Sequence, residues 1–292
     1  MDSALATVGL PLALVVVMFG LGLSLTVEDF RRVGRAPKAV GVALAAQLLV
    51  LPAACFLLIL LFDPSPIMAV GMMLLAASPG GTTANLFSHL FRGDVALNIT
   101  LTAVNSVIAV VTLPIVVNFA LGYFEPGGGD DQVGLQFGKV AQVFVIVLVP
   151  VAIGMFVRSR SEGFAARAER PVRILSIVVL AVLILATMLA ERENLAEYLA
   201  DVGLLATVFC VLSLTVGYVL PRLAGIDKKQ AIASGFEVGI HNGTLAIAIA
   251  VSVLDDEQLA VPAAVYSVVM FPLAALAGAL LTARDRRTVP TG

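Results

Sequence analysis

Nine apolar stretches, most of them about 20 residues long, follow one another along this chain and leave it little to fold into except a bundle of membrane-spanning helices. They are 4–25, 39–62, 67–91, 95–124, 136–157, 172–190, 202–220, 230–254 and 259–281. In hydrocarbon every backbone N–H and C=O must find its partner inside the protein, and an α-helix achieves this within one segment. Composition agrees. A soluble domain is about 45–50% apolar and about 25% charged, whereas 60% of these 292 residues are hydrophobic and 13% charged, with a mean hydropathy of +1.03. The expected fold class is an all-α polytopic membrane protein. Cys55 and Cys210 each sit inside an apolar run and read as small buried hydrophobes. The first segment lacks a basic flank before it and ends in charges, so it reads as a span, not as a cleavable leader.

The connections between the spans alternate in charge. Sixteen of the 18 Lys and Arg fall on one side, leaving only Lys139 and Arg192 for the other, where acidic residues such as Asp130, Asp131, Glu191 and Glu193 collect. Basic residues stay cytoplasmic. The N-terminus is therefore expected outside and the C-terminus inside, as an odd number of spans requires.

Of the 20 acidic residues only Glu237 falls in a membrane interior, within FEVGIHNGTLAIAIA (236–250). An acidic side chain at the centre of a membrane helix costs about 2.5–3.5 kcal/mol on insertion scales, and a bound cation offsets that cost. Its span is interrupted by Gly239 and Gly243. The third span is interrupted too, at ASPGGTTANLF (77–87), where Pro79 removes a backbone donor and Gly80 and Gly81 favour unwinding. With the orientation above, the two broken spans run in opposite directions. Two interrupted segments of opposite direction are what an inverted-topology repeat supplies in secondary transporters. Spans one to four would then match six to nine, the repeat lacking its first helix, with the broken helices meeting in a core. Unwound carbonyls and a carboxylate offer hard oxygen ligands to a cation, and half-helix N-termini offer N–H groups to an anion.

Other classes fit less well. A channel needs a continuous polar path, and one buried acid with two paired breaks suits an occluded site better. An aspartyl protease needs two facing carboxylates, and a zinc protease needs a motif such as HExxH, absent from a chain with two histidines. An enzyme is not expected. Nothing in the chain calls for a nucleic acid or an obligate protein partner.

With these residues in view, SPGGTTAN followed by FRGDVALNITLTAV, together with FEVGIHNGTLAIAIA, resembles the bile acid:sodium symporter family, over about residues 21–279. The resemblance implies two inverted repeats of five helices, here short of the first, divided into panel and core domains. Residues 1–38 and 136–190 would be panel, 39–124 and 202–281 the two halves of the core, and 282–292 a cytoplasmic tail. It implies sodium-coupled symport of an organic anion by alternating access, in a bacterial inner membrane, with one or two Na⁺ ions; proton-coupled or uncoupled transport is the alternative.

Carried over by motif, the first sodium site would use Asn85, Thr102 and Glu237, with Asn98 where a serine is usual and Ala84 where another is usual. The second would use Gln47, the carbonyls of Val238 and Ile240, Glu237 shared between both, and His241 in place of a glutamine. Imidazole nitrogen is a poorer Na⁺ ligand than an amide oxygen, and it titrates near neutrality. Substrate would lie near Thr82, Thr83 and Asn242. Bile-acid-binding bacterial members carry a His-Asn pair in the last helix; here the stretch is VYSVVMFPLAA, with Met270 and Phe271. A small carboxylate is therefore expected as readily as a bile acid.

Overall fold

The computed structural model describes residues 15–16, 18–20, 22–23, 26–81, 83–126, 137–168, 171–172, 174–175, 178, 195–254 and 256–286. Among these residues there is no strand, and helices account for most of them. The segments expected at 4–25 and 172–190 lie for the most part outside the described residues, as does Thr82.

After a short helix α1 (Val27–Arg31) and a 3₁₀ turn (Arg32–Arg35), the order long helix, broken helix, long helix occurs twice. In the first set, α2 (Pro37–Ala45) continues through a π-turn (Ala46–Val50) into α3 (Leu51–Phe62). The broken pair α4 (Pro66–Ala77) and α5 (Thr83–Leu90) follows, and then α6 (Val95–Phe124). After α7 (Phe137–Arg160), the second set comprises α8 (Leu195–Leu223), the broken pair α9 (Lys228–Gly239) and α10 (Gly243–Ser252), and α11 (Val261–Arg286), which is preceded by a 3₁₀ turn (Gln258–Ala260). Four stretches, Pro37–Phe62, Val95–Phe124, Ala200–Leu223 and Gln258–Ala283, are long and apolar enough to cross a membrane; Pro66–Ala77 and Gly243–Ser252 are shorter apolar helices.

Local chemistry sets the ends. Pro37 and Pro66 sit in first turns, where their missing N–H costs nothing. Asp94 caps α6 by accepting from Leu97 N at 3.0 Å, and Asp227 caps α9 by accepting from Lys229 N and Gln230 N at 2.8 and 3.1 Å. Asp63 and Glu125 end α3 and α6 in the left-handed region, at φ 48° and 43°. Pro114, Pro150 and Pro272 lie within helices that continue past them, as kinks would. One boundary differs from the sequence reading. The polar stretch 191–201 is expected as a connection, yet helix already runs from Leu195, since Leu195, Ala196 and Leu199 are good helix formers whatever the charges beside them.

Burial separates two kinds of helix. Every residue of α4 from Met68 to Ala77, and of α9 from Ala231 to Gly239, is buried, so these helices have no lipid-facing side. The long helices expose large apolar side chains instead, among them Leu57 and Leu61 on α3, Ile115 and Phe119 on α6, and Val268 and Leu280 on α11. In water such a surface would drive aggregation; against acyl chains it is at home. Packing follows, with α8 against α9 and α11, α6 against α4 and α9, and α9 against α5. The broken helices form the centre and the long ones enclose them.

Candidate functional site at the helix crossing

The two breaks satisfy one another. Gly81 N donates to Ile240 O at 2.8 Å and Asn242 N donates to Pro79 O at 2.8 Å, which makes Gly80 and His241 an isolated antiparallel bridge. Pro79 has no N–H to continue α4, so the chain unwinds, and the freed groups of one break become partners for the other. A side chain at position 80 has no room: a Cβ there would fall on the Glu237 carboxylate and on the Glu237 backbone oxygen. Gly243 is constrained in the same way, because its Cβ would meet Ser267 Oγ.

On one side of the crossing lies Glu237, 2% exposed. Thr102 Oγ1 donates to Glu237 Oε2 at 2.6 Å; it also lies 3.0 Å from Asn98 O, but one hydroxyl hydrogen serves one acceptor well and the shorter contact takes it. Glu237 Oε1 has no hydrogen-bond partner, and no cationic side chain among the described residues pairs with it. Asn98 Nδ2 donates to Ala233 O at 2.7 Å, which turns its Oδ1 away as a second buried oxygen without a partner; Asn85 Oδ1 is a third. Asn105 and the backbone N–H of Gly80 also approach the Glu237 carboxylate, neither reaching hydrogen-bond geometry. Ala84 is buried and brings no oxygen.

Across the crossing the arrangement is different. Gln47 lies in the π-turn, where Leu51 N–H reaches back five residues to Ala46 O, one residue before Pro52, which has no N–H to give. Its Nε2 donates to Ser78 O at 3.0 Å, and His241 Nδ1 lies 3.2 Å from the same carbonyl and 3.5 Å from Gln47 Nε2. A carbonyl only accepts, so the His241–Ser78 contact fits the tautomer with hydrogen on Nδ1. Phe209 stacks on the imidazole at 5.5 Å between centroids, and Tyr266 meets it edge-on at 5.3 Å while donating to Gly239 O at 2.8 Å. Val238 and Ile240 are buried here, the Ile240 carbonyl already holding Gly81 N. Gln47 Oε1 and His241 Nε2 are buried without partners.

The crossing therefore gathers Gln47, Asn98, Thr102, Glu237, Val238, Ile240 and His241 from three separate stretches of sequence, and Asn85 lies just past the first break, in the first turn of α5. Of the residues expected at the substrate, Thr83 is exposed at the start of α5, and Asn242 is half-buried and caps α10 by accepting from Leu245 N at 3.0 Å. Phe271 stacks on Phe87 at 6.1 Å, beside Phe91 and Phe236. No group of three or more His, Cys, Asp or Glu among the described residues could hold a metal ion. The donors are amide, hydroxyl and carbonyl oxygens with one carboxylate, a set for a hard cation and not for zinc or copper. Sequence reasoning passed over Asn105 and the π-turn. Pro52, which leaves an upstream carbonyl without its donor, is the signal in the sequence for the turn.

Fold and site together define a multi-pass helical membrane protein whose polar chemistry is concentrated where two interrupted helices meet. The chain belongs to the Sodium Bile acid symporter family, whose profile matches residues 11–198. It is 28% identical over 257 residues to the uncharacterized sodium-dependent transporter YocS of Bacillus subtilis, covering 87% of this chain and 76% of that one. It is 28% identical over 284 residues to the probable chloroplastic sodium/metabolite cotransporter BASS1 of Arabidopsis thaliana, covering 95% of this chain and 66% of that one. Against the ileal sodium/bile acid cotransporter of Homo sapiens it is 25% identical over 261 residues, covering 89% of this chain and 73% of the other. These relatives are named as transporters and cotransporters, not as enzymes.

Proposed function

We propose that the protein is a secondary active transporter that couples an inward sodium gradient to the uptake of a small organic anion, by alternating access around the crossing. One observation carries this reading. Glu237 Oε1, Asn98 Oδ1 and Asn85 Oδ1 are buried acceptor oxygens with nothing to accept from, and Thr102 already holds the other carboxylate oxygen. Buried acceptors are rarely left so. A desolvated Na⁺ would answer all three at once and balance the charge of Glu237. Gln47, the Val238 and Ile240 carbonyls and His241 form the second lobe, available to a second ion. Thr83 and Asn242, at the N-termini of α5 and α10, would receive the anion together with Thr82, since helix N-termini favour negative charge.

The wider architecture belongs to the same proposal. The twofold order of long, broken and long helices is read as one inverted-topology repeat of a nine-span protein lacking its first helix. Residues 39–124 and 202–281 form the core, and 1–38 and 136–190 a panel against which it rocks. The charge asymmetry supports an external N-terminus and a cytoplasmic C-terminus, and the Bacillus relative supports a bacterial inner membrane. Met270 and Phe271, in place of a polar pair, favour a small keto or hydroxy acid over a bile acid.

Purified protein in liposomes tests this directly. With a panel of labelled carboxylates and bile acids outside, an inward sodium gradient should drive accumulation of at least one small carboxylate, and an equal gradient of choline should not. Accumulation that is indifferent to sodium but follows a proton gradient would replace sodium coupling with proton coupling.

A further inference from the structure

Asn105 lies on α6 three residues after Thr102 and seven after Asn98, spacings that put all three on one face of the helix. That face packs toward α9, which carries Glu237. Asn98 and Asn105 are chemically identical and both are fully buried, at 0% and 1% exposure. Their surroundings differ. Asn98 ties α6 to α9 through its bond to Ala233 O, as an amide acting as interhelical glue does. Asn105 makes no such bond: neither its Nδ2 nor its Oδ1 has a partner in hydrogen-bond geometry, while its amide stands close against the Glu237 carboxylate. A residue kept for packing at such a place is better served by leucine, which has the same reach and no polar atoms to desolvate. An amide bonded to neither helix is explained by what comes between it and the carboxylate.

We propose that Asn105 is a further ligand of the coupling ion, contributing an amide oxygen from the outward end of the Asn98–Thr102 face to a cation held by Glu237. The inference rests on the sodium-coupled reading above. Its chemistry is straightforward. Glu237 Oε1 and Asn105 Oδ1 are both acceptors, so they cannot bond to each other, and a cation between them satisfies both.

The test uses binding as well as transport. Cys55 and Cys210 are both free and buried, so a thiol-reactive dye reports thermal unfolding of the intact detergent-solubilised protein. Sodium chloride is titrated against choline chloride in wild type, Asn105→Leu, Asn105→Asp and Thr102→Ala. Asn105→Leu should unfold in choline at or above the wild-type temperature, since two unpartnered polar atoms are gone. Its sodium-induced shift should need at least about tenfold more sodium, the scale of losing one group that tunes a bound ion. Sodium half-saturation of uptake in liposomes should rise in parallel. Asn105→Asp, which keeps an oxygen at the position, should retain a sodium response. A structural role predicts the reverse, namely a lower unfolding temperature in choline with an unchanged sodium midpoint. That result, with Thr102→Ala weakened as expected, would remove Asn105 from the site and leave the sodium reading standing. Absence of any sodium shift or sodium-driven uptake in the wild type would overturn both.

Discussion

The two sides of the crossing are built from the same backbone bridge and differ in what they leave unsatisfied. On the Glu237 side, Thr102 supplies one donor while Glu237 Oε1 and Asn98 Oδ1 have none. On the His241 side, Gln47 and His241 already share Ser78 O, and Phe209 and Tyr266 close over the imidazole. One lobe leaves unpartnered oxygens around a buried charge; the other leaves Gln47 Oε1 and His241 Nε2 unpartnered but carries no charge of its own. The difference teaches that a shared carboxylate does not make two equivalent sites. A lone buried charge asks for a cation, whereas a neutral lobe whose donors already serve Ser78 O asks for one less strongly.

The harshest way to break this comparison is to remove the charge. Glu237→Gln leaves the shape and takes away the only fixed negative charge at the crossing. We expect sodium-driven uptake to fall to the background of protein-free liposomes while expression and unfolding temperature stay close to wild type. Wild-type-like accumulation by this variant would end the assignment of the Glu237 lobe to a cation.

A smaller but still severe effect is expected at Gly80, whose Cβ would collide with that carboxylate and with the backbone behind it. Overpacking of a tight interior costs about 1–3 kcal/mol. Gly80→Ala should therefore lower the unfolding temperature and displace Glu237 from Thr102, weakening sodium binding as well. Gly122, on the same long helix as Thr102 but with open space where a Cβ would go, gives the matched control: Gly122→Ala should change neither. Equal behaviour of the two alanine variants in unfolding and sodium titrations would show that the crossing has slack.

Much of this site was legible in the sequence because its parts are chemically out of place in a membrane. Glu237 stands out as the lone acid of the spans, and Pro79 with Gly80 and Gly81 breaks an apolar run. Resemblance added Asn85, Asn98, Thr102 and Gln47. What sequence could not supply is which polar atoms are already spoken for. Asn98 and Asn105 look alike in a string of letters, and only the register of α6 against α9 shows one bonded to Ala233 and the other without a partner in hydrogen-bond geometry. The π-turn at Gln47 was hidden for a similar reason. Pro52 announces that a carbonyl upstream loses its donor, but whether the helix kinks, breaks or widens depends on what packs against it. Ser78 contributes through its backbone oxygen, so its side chain gave no hint of a hub.

The gentlest test concerns His241, where the two lobes are compared most directly. The contact from Nδ1 to Ser78 O leaves Nε2 as a bare lone pair among Phe209, Tyr266 and the crossing. A neutral ring nitrogen suits zinc or copper better than Na⁺, which prefers oxygen. The wild-type protein is therefore expected to bind one Na⁺ firmly, with sodium dependence of uptake near first order. Glutamine at this position can still donate from its amide to Ser78 O, and it adds a carbonyl oxygen where the nitrogen stood. In His241→Gln the Hill coefficient for sodium should move from about one toward two, with little change in maximal rate, because the Glu237 lobe is untouched. The measurement is uptake against sodium concentration at fixed ionic strength, wild type beside variant. A wild type that is already second order in sodium would show that the histidine lobe holds an ion despite its internal bonds. Superimposable first-order curves would show that position 241 lies outside the ion's reach altogether, and the contrast between the lobes would then be one of packing alone.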